Sequence, residues 1–115
     1  MTFERACALA DVLEDEALAV TLVGPLGAQD VAVARNGDEV FAVEDVCSHA
    51  NVALSEGEVD ECTVECWLHG SRFDLRTGKP TGLPATEPVA TFPVEVRGGD
   101  IYVDITTTLN GVTPQ

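Results

Sequence analysis

Basic residues and histidines are scarce in this chain. Its 115 residues include six lysines and arginines and two histidines, against 20 acidic residues, so the formal net charge is −14. Such a charge argues against nucleic acid or an anionic membrane as a partner, because both repel a negative surface. It fits either an ordinary solvated surface or an acidic face that docks onto basic partners.

Long apolar runs are also missing. The most apolar stretch, residues 17–28, is interrupted by Thr21, Gly24 and Pro25, and it is too short to cross a bilayer. Residues 1–5 do not resemble the start of a secretory signal, which needs a charged segment followed by an apolar one. We therefore expect a cytoplasmic protein that makes no membrane contact.

The few histidines are placed informatively, because each lies close to a cysteine. The chain contains Cys-Ser-His at positions 47–49 and Cys-Trp-Leu-His at positions 66–69, separated by sixteen residues. Two thiolates and two imidazoles from two segments are the ligand set of a Rieske [2Fe–2S] centre, in which two histidines replace two cysteines on one iron. Cys47, His49, Cys66 and His69 are therefore the candidate metal ligands, and the pattern favours electron transfer.

Two other readings of the same residues are weighed against this one. A structural zinc site also uses two cysteines and two histidines, and Cys62 offers it a further thiolate. Zinc fingers, however, place both cysteines before both histidines, whereas here the two types alternate. An oxygenase catalytic subunit needs two more histidines and a carboxylate for a mononuclear iron, and no histidine remains.

The flanking residues resemble those of the Rieske family. Gly70 and Ser71 follow His69, then come Arg-Phe-Asp at 72–74 and Thr-Gly-Lys-Pro at 77–80. Thr-Phe-Pro-Val at 91–94 completes the pattern. Within the family, the chain is similar to the small Rieske ferredoxins that serve non-haem-iron oxygenases, over roughly residues 2–105.

The resemblance implies a role for each matching residue. Cys47 and Cys66 hold the iron that stays ferric, and His49 and His69 hold the other iron near the protein tip. Ser71 matches a hydroxyl that hydrogen-bonds a bridging sulfide. Pro84 belongs to a loop that covers the cluster. Gly70 lets the backbone pass close to the cluster, because it has no side chain.

Departures from the respiratory branch of the family predict a low potential. That branch has an extra cysteine in each ligand loop, and the two cysteines form a disulfide. It also has a tyrosine two residues after the serine. The matching residues here are Val52, Leu68 and Phe73. Fewer hydrogen-bond donors stabilise the reduced cluster less, so we expect a potential at the low end of the Rieske range.

The remaining pattern predicts an all-β, Rieske-type fold. Strands are expected at residues 3–9, 17–23, 31–34, 40–43, 94–97 and 101–104, with a short helical turn within 10–16. Hairpin turns are expected at Asn36-Gly37-Asp38 and at Gly98-Gly99. Two separate hairpin tips are expected to carry the ligand loops.

A single domain, residues 1–115, is expected. Antiparallel strands from both ends of the chain, about 2–44 and 85–105, would form the base, and about 45–84 would form an inserted cluster-binding subdomain. The polar tail, 106–115, is expected to fray. Cys7 is expected to be a small core residue, and no role is assigned to Cys62.

These observations predict a one-electron carrier that receives electrons from a flavin-dependent reductase and passes them to a terminal acceptor such as an oxygenase. Iron–sulfur cluster assembly and another oxidoreductase remain open as alternative destinations. If the negative charge serves docking, basic partner faces should meet carboxylates near the ligand loops, for which Glu44, Asp45 and Glu65 are the candidates.

Overall fold

The fold is described from a computed structural model, which covers residues 2–25, 27–48, 51–68, 70–83 and 85–114. Three residues predicted to surround the cluster, namely His49, His69 and Pro84, lie outside these ranges. The roles predicted for them therefore rest on the sequence motif.

Ten strands form within these ranges, all in antiparallel sheets, and the described residues contain no α-helix. The strands are β1 (Glu4–Ala8), β2 (Glu16–Gly24), β3 (Gly27–Asn36), β4 (Glu39–Glu44), β5 (Val59–Asp60), β6 (Thr63–Glu65), β7 (Arg72–Asp74), β8 (Thr91–Phe92), β9 (Val94–Arg97) and β10 (Asp100–Val103). The all-β prediction is confirmed.

Two of the three sheets form what we call the base. One has the order β1-β10-β9, so strands from the two ends of the chain pair as expected. The other has the order β2-β3-β4-β8, and its β2–β3 ladder runs in unbroken register from Glu16 opposite Arg35 to Gly24 opposite Gly27. The β3–β4 and β9–β10 hairpins turn where the sequence placed them.

The third sheet, β5-β6-β7, carries shorter strands and is called the hairpin layer. The sequence had shown no clear alternation here, because strands of two or three residues are too short to establish a period. The two strand connections of this layer lie at opposite ends of β6. One of them, residues 66–71, is the second predicted ligand segment.

Only one of the two ligand segments lies on a hairpin tip. Residues 66–71 connect the paired strands β6 and β7. The first segment instead follows β4, whose partners are β3 and β8, and leads to a 3₁₀ turn at Leu54–Glu56. The prediction of two hairpin tips was therefore wrong for the first segment, because β4 continues a base sheet and does not return against β5.

The helical turn predicted after β1 is a single 3₁₀ turn at Leu9–Asp11. It ends earlier than the expected segment because Glu16 already begins β2. Within the described residues, no helix has the length and apolar character needed to cross a membrane.

The central strand β3 is buried on both faces. Val31 and Val33 belong to a core shared with Phe92 and Ile101, which lies between the two base sheets. Their neighbours Ala32 and Ala34 belong to a second core, which includes Leu54, Val64 and Phe73 and lies under the hairpin layer. Because adjacent strand residues point to opposite faces, β3 fixes both layers to one backbone.

The tail, which the sequence predicted to fray, makes hydrogen bonds to the rest of the chain in this structure. The Leu109 N–H donates to the Thr91 carbonyl at 2.8 Å, and the Asn110 amide donates to the carbonyls of Thr77 at 2.9 Å and Val89 at 2.8 Å. Val112 packs against the core between the base sheets. The polar composition of the tail had suggested fraying, but one of its polar side chains, Asn110, bonds two separate segments of the chain.

At the start of the tail, Asp104 is fully buried. Burial alone would raise the pKa of its carboxyl group, but hydrogen bonds from Thr106 and from the Thr2 N–H outweigh burial and lower the pKa below its ordinary value. The charged carboxylate thus links the N-terminal segment to the end of β10.

Candidate metal centre

The first ligand segment forms a closed loop. The Cys47 N–H donates to the Val52 carbonyl at 3.0 Å. Two residues earlier, the buried Asp45 carboxylate accepts bonds from the Ser55 N–H and hydroxyl, both at 2.7 Å. Asp45 therefore joins the end of β4 to the 3₁₀ turn at Leu54–Glu56, and this contact sets where the loop between them begins and ends.

The second ligand segment is closed more tightly. The Cys66 N–H donates to the Ser71 carbonyl at 2.6 Å, and the Gly70 N–H donates to the Cys66 carbonyl at 2.9 Å. Gly70 has φ +77°, a left-handed conformation that L side chains rarely adopt. No described protein atom outside its neighbours lies within 4 Å of the position that a Cβ would take. The backbone turn therefore requires a glycine here, whatever the loop encloses.

A third loop lies alongside these two. The Thr81 N–H donates to the Arg72 carbonyl at 2.8 Å, and the Ala85 N–H donates to the Ser71 hydroxyl at 3.1 Å. The Ser48 hydroxyl donates to the Glu87 carbonyl at 2.6 Å. Residues 81–87 thus connect to both ligand segments, which brings all three loops to one end of the molecule, here called the tip.

The two thiols of these loops lie in a common interior. Cys47 is 1% exposed and Cys66 is fully buried, and both belong to the core under the hairpin layer. All four cysteines are described, and none of them forms a disulfide. Paired thiols in an apolar interior are the soft donors that an iron–sulfur group requires.

The buried Ser71 hydroxyl is suited to the same group. It is 1% exposed and accepts the Ala85 N–H, so its own proton is directed away from that bond. A hydroxyl donates one hydrogen bond while accepting another. The described residues therefore fit a [2Fe–2S] cluster at the tip: Cys47 and Cys66 would supply thiolates, and Ser71 would supply a hydrogen-bond donor.

The other two cysteines lie outside the tip loops, although Cys62 shares the core under the hairpin layer with Cys47 and Cys66. Burial raises the pKa of the Cys7 thiol, with a further contribution from the nearby Asp11 carboxylate. Burial likewise raises the pKa of the Cys62 thiol. Cys7 lies in the core between the base sheets, as expected for a small apolar residue. Both environments favour the neutral thiol over the thiolate that binds metal.

Cys62 also does not complete a zinc site with the other described thiols. Across the described ranges, no three cysteine, histidine or acidic side chains come together to hold a metal ion. Cys62 instead has a role in the backbone conformation. Glu61 and Cys62 have φ of 49° and 60°, and they form the left-handed turn between β5 and β6. The Cys62 carbonyl accepts the Leu75 N–H at 3.0 Å.

Two of the three carboxylates expected near the ligand loops are buried, so they are not the exposed docking groups that the sequence suggested. Glu44 is 2% exposed and its Oε1 accepts the Ala90 N–H at 2.7 Å, while Asp45 is 7% exposed. Glu65 forms an ion pair with Arg72 at 3.2 Å, and the side chain of each residue is about one third exposed. Glu44 and Asp45 therefore stabilise the interior, since each carboxylate accepts a hydrogen bond from the backbone N–H of another segment.

Several residues that shape the tip were not singled out by the sequence. Ser48 and Thr81 each bond a segment at least nine residues away. No local spacing links such pairs, so nothing in the sequence pattern identified them. Trp67 was visible only as a residue between two ligands, and its exposure depends on the tertiary arrangement.

Comparison with known proteins identifies the family of this chain. Residues 3–93 match the family model described as the Rieske [2Fe–2S] domain. The ferredoxin subunit of 3-phenylpropionate/cinnamic acid dioxygenase from Escherichia coli (strain K12) is 48% identical over 101 residues, which cover 87% of this chain and 91% of that protein. The corresponding subunit from Shigella flexneri serotype 5b (strain 8401) is 48% identical with the same coverage.

Solved structures are similar as well. The ferredoxin of carbazole 1,9a-dioxygenase from Nocardioides aromaticivorans IC177 is 37% identical with a TM-score of 0.81, covering 90% of this chain and 97% of that one. A chain from a complex of reduced oxygenase and oxidized ferredoxin in carbazole 1,9a-dioxygenase is 39% identical with a TM-score of 0.77, covering 88% of this chain and 91% of that one.

Proposed function

Because the chain belongs to the Rieske [2Fe–2S] family, we propose that it carries single electrons from a flavin-dependent reductase to the oxygenase component of a ring-hydroxylating dioxygenase. It is an electron-transfer protein with a [2Fe–2S] cluster, not itself the catalytic component. The observation that carries the proposal is the tip, where three hydrogen-bonded loops meet and two of them carry thiols buried in one core. Such a placement gives an electron a short path to a docked partner.

The ligand assignment combines the motif with the described thiols. Cys47 and Cys66 would hold one iron, which thiolates would keep ferric because they donate strongly. His49 and His69 would hold the other iron, which neutral imidazoles would make easier to reduce. By the family motif, Ser71 would donate a hydrogen bond to the cluster and Pro84 would belong to the loop beside it. The bound cluster supplies a reversible one-electron couple.

The potential is expected at the low end of the Rieske range, about −150 mV or slightly above. Val52 and Leu68 bring no thiol to the ligand loops, and Phe73 is fully buried without a hydroxyl. Ser71 is then the main side-chain donor. A midpoint at the upper end of the Rieske range, measured by voltammetry, would contradict this assignment.

The partners are proposed to carry basic faces, and the protein to act in the cytoplasm. A net charge of −14 steers such partners from a distance and raises the association rate at low salt. Because Glu44 and Asp45 are buried, any steering must come from other carboxylates, such as the exposed Glu56, Glu58 and Asp60. Electron transfer from the reductase should slow as salt rises.

The test uses the cluster-loaded, chemically reduced protein. It is mixed in a stopped-flow instrument with the oxygenase component of 3-phenylpropionate/cinnamic acid dioxygenase, and separately with that of carbazole 1,9a-dioxygenase. We expect at least one oxidised oxygenase to reoxidise the carrier in an encounter that saturates with oxygenase concentration. If neither oxygenase accepts electrons while the cluster is intact, the proposed acceptor is wrong.

A further inference from the structure

The second ligand segment is bracketed by charges of opposite sign. Residues 66–71 contain no aspartate, glutamate, lysine or arginine, whereas Glu65 directly precedes Cys66 and Arg72 directly follows Ser71. Since consecutive Cα atoms are about 3.8 Å apart, each charged residue is the immediate neighbour of a residue that fits the cluster. Glu65 and Arg72 are therefore the charges nearest to this segment along the chain.

The two side chains also contact each other. Glu65 lies opposite Arg72 in the β6–β7 ladder, and an Arg72 guanidinium nitrogen lies 3.2 Å from a Glu65 carboxylate oxygen. A second nitrogen of Arg72 donates to the Thr63 hydroxyl at 3.1 Å. This ion pair of Glu65 and Arg72, which we call the neck pair, spans the two strand ends from which the loop 66–71 emerges.

The neck pair lies on the outer face of the hairpin layer. Val64 and Phe73, its neighbours in β6 and β7, are fully buried in the core that also contains Cys66. Because adjacent strand residues point to opposite faces, the neck pair and this core lie on opposite sides of one β layer. Both side chains of the pair are about one third exposed, so water and salt screen their charges only in part.

The backbone at this position is held independently of the two charges. The Glu65 N–H donates to the Glu58 carbonyl at 2.8 Å. A Cβ at Gly57 would overlap the Glu65 carbonyl oxygen, so this segment packs directly against the backbone of Glu65. The Arg72 carbonyl accepts the Thr81 N–H at 2.8 Å. Neutralising either side chain should therefore leave the ends of the loop in place.

Resting on the cluster that the proposed function requires, we infer that Glu65 and Arg72 act on its midpoint potential with opposite signs, and that their pairing cancels the two effects. Reduction adds one negative charge to the cluster, so the Glu65 carboxylate disfavours reduction and the Arg72 guanidinium favours it. The neck pair thus places two charges beside the ligand loop without displacing the potential. The ligands and hydrogen-bond donors such as Ser71 then determine its value.

A purely mechanical role explains these charges less well. Partly exposed ion pairs add little to the stability of a fold. The loop is also closed already, by the bond from the Cys66 N–H to the Ser71 carbonyl at 2.6 Å. A lone carboxylate or a lone guanidinium at this position would shift the potential, whereas the two together do not.

The experiment measures the midpoint potential of cluster-loaded protein by voltammetry at neutral pH. Glu65→Gln, Arg72→Gln and the double variant are compared with Glu95→Gln and Arg97→Gln. The second pair has the same residue types, with the charged atoms 2.7 Å apart, but lies on β9 in the base. Each control changes the net charge of the molecule by the same amount as its counterpart. Iron, labile sulfide and visible absorption are measured first.

We expect Glu65→Gln to raise the midpoint and Arg72→Gln to lower it, each by at least about twice the shift of the matching variant in the base. The double variant should return close to the wild-type value, because the two changes have opposite signs. Arg72→Lys keeps the charge and should also stay close to wild type. Both single shifts should shrink between about 50 mM and about 500 mM salt, because the neck pair is partly exposed.

A structural role of the neck pair would give a different pattern. If both single variants and the double variant shift the midpoint in one direction, or if any of them loses iron and sulfide, the pair positions the loop and does not balance charge. Shifts no larger than those of the two controls would overturn the assignment as well. A wild-type protein without labile sulfide would contradict the metal assignment itself, whereas a flat response in loaded protein contradicts only the role of the neck pair.

Discussion

The base and the hairpin layer are built on different principles. The base contains the long ladders of the molecule, with nine residues in β2 and ten in β3, and a core of valine, isoleucine and phenylalanine between its two sheets. The hairpin layer has strands of two or three residues. Its loops are held instead by bonds between side chains and distant backbone groups, such as Ser71 with Ala85 and Asp45 with Ser55.

This difference predicts where the molecule is sensitive. A long antiparallel ladder tolerates single substitutions because many backbone hydrogen bonds contribute to its stability. A short hairpin depends on a few particular residues, and on whatever it binds. Because metal binding contributes to folding when the ligands lie on separate loops, the hairpin layer should gain more stability from the cluster than the base does.

The largest effect is expected from substituting the proposed metal ligands of the hairpin layer and the loop before it. Cys47→Ala or Cys66→Ala should abolish the cluster, as should changing His49 or His69, because each removes a ligand that no neighbour replaces. Iron and acid-labile sulfide analysis of purified protein measures this directly. The wild type should contain two irons and two sulfides, and should be red-brown.

Cys7→Ala and Cys62→Ala are the matched controls for this experiment, since both remove a buried thiol outside the ligand motif. Both should keep the full complement of iron and sulfide. Finding one zinc and no labile sulfide in the wild type would contradict the metal assignment altogether.

The second effect breaks the junction between the two regions. A Cβ at Gly78 would lie 2.1 Å from the Val89 carbonyl oxygen, and φ there is +75°. We expect Gly78→Ala to destabilise the protein by at least about 3 kcal/mol, because backbone on both sides must shift. Thermal unfolding of the cluster-loaded protein, followed by circular dichroism, measures the loss.

Gly37→Ala provides the control, because Gly37 has φ +62° but nothing within 4 Å of its Cβ position. It should cost about 1–2 kcal/mol for the left-handed backbone alone. Equal losses at the two positions would show that the close approach at Gly78 carries no penalty.

A smaller effect is expected for the hydrogen bonds that hold the tail, residues 106–115, against the rest of the chain. Asn110→Ala removes two donors, to the Thr77 and Val89 carbonyls, and should destabilise the protein by about 1–3 kcal/mol. The exposed Thr107 offers a control in the same tail, and Thr107→Ala should change stability by less than about 0.5 kcal/mol. Thermal midpoints that fall equally in both variants would indicate that the Asn110 hydrogen bonds add no particular stability.

The smallest effect sharpens the comparison by strengthening the hairpin layer. Glu61 is exposed and has φ 49°, so Glu61→Gly should relieve backbone strain and raise stability by about 0.5–1 kcal/mol. Asp60→Gly, one residue earlier and without positive φ, should instead lower stability by about 0.5–1 kcal/mol. Thermal midpoints shifting in opposite directions would support this, and a decrease for both would contradict it.

The sequence predicted the base well, and the reasons are local. Alternating or continuous apolar runs and two turn signals predicted β1 to β4, β9 and β10 to within a few residues, because each property depends on neighbours in the chain. The hairpin layer was only outlined, since β5 to β7 are too short to show a period. The position of Glu44 was misjudged, because its burial depends on Ala90, 46 residues away.

The sequence by itself determined the chemistry of this protein. Two histidines each beside a cysteine, without further histidines, pointed to a Rieske cluster and to electron transfer, because ligand type and spacing are properties of the chain alone. Only the tertiary structure decided which carboxylates face inward, how the tail is held, and which apolar side chains remain exposed on the tip. Burial is a relation between distant segments, so it becomes visible only once those segments are folded together.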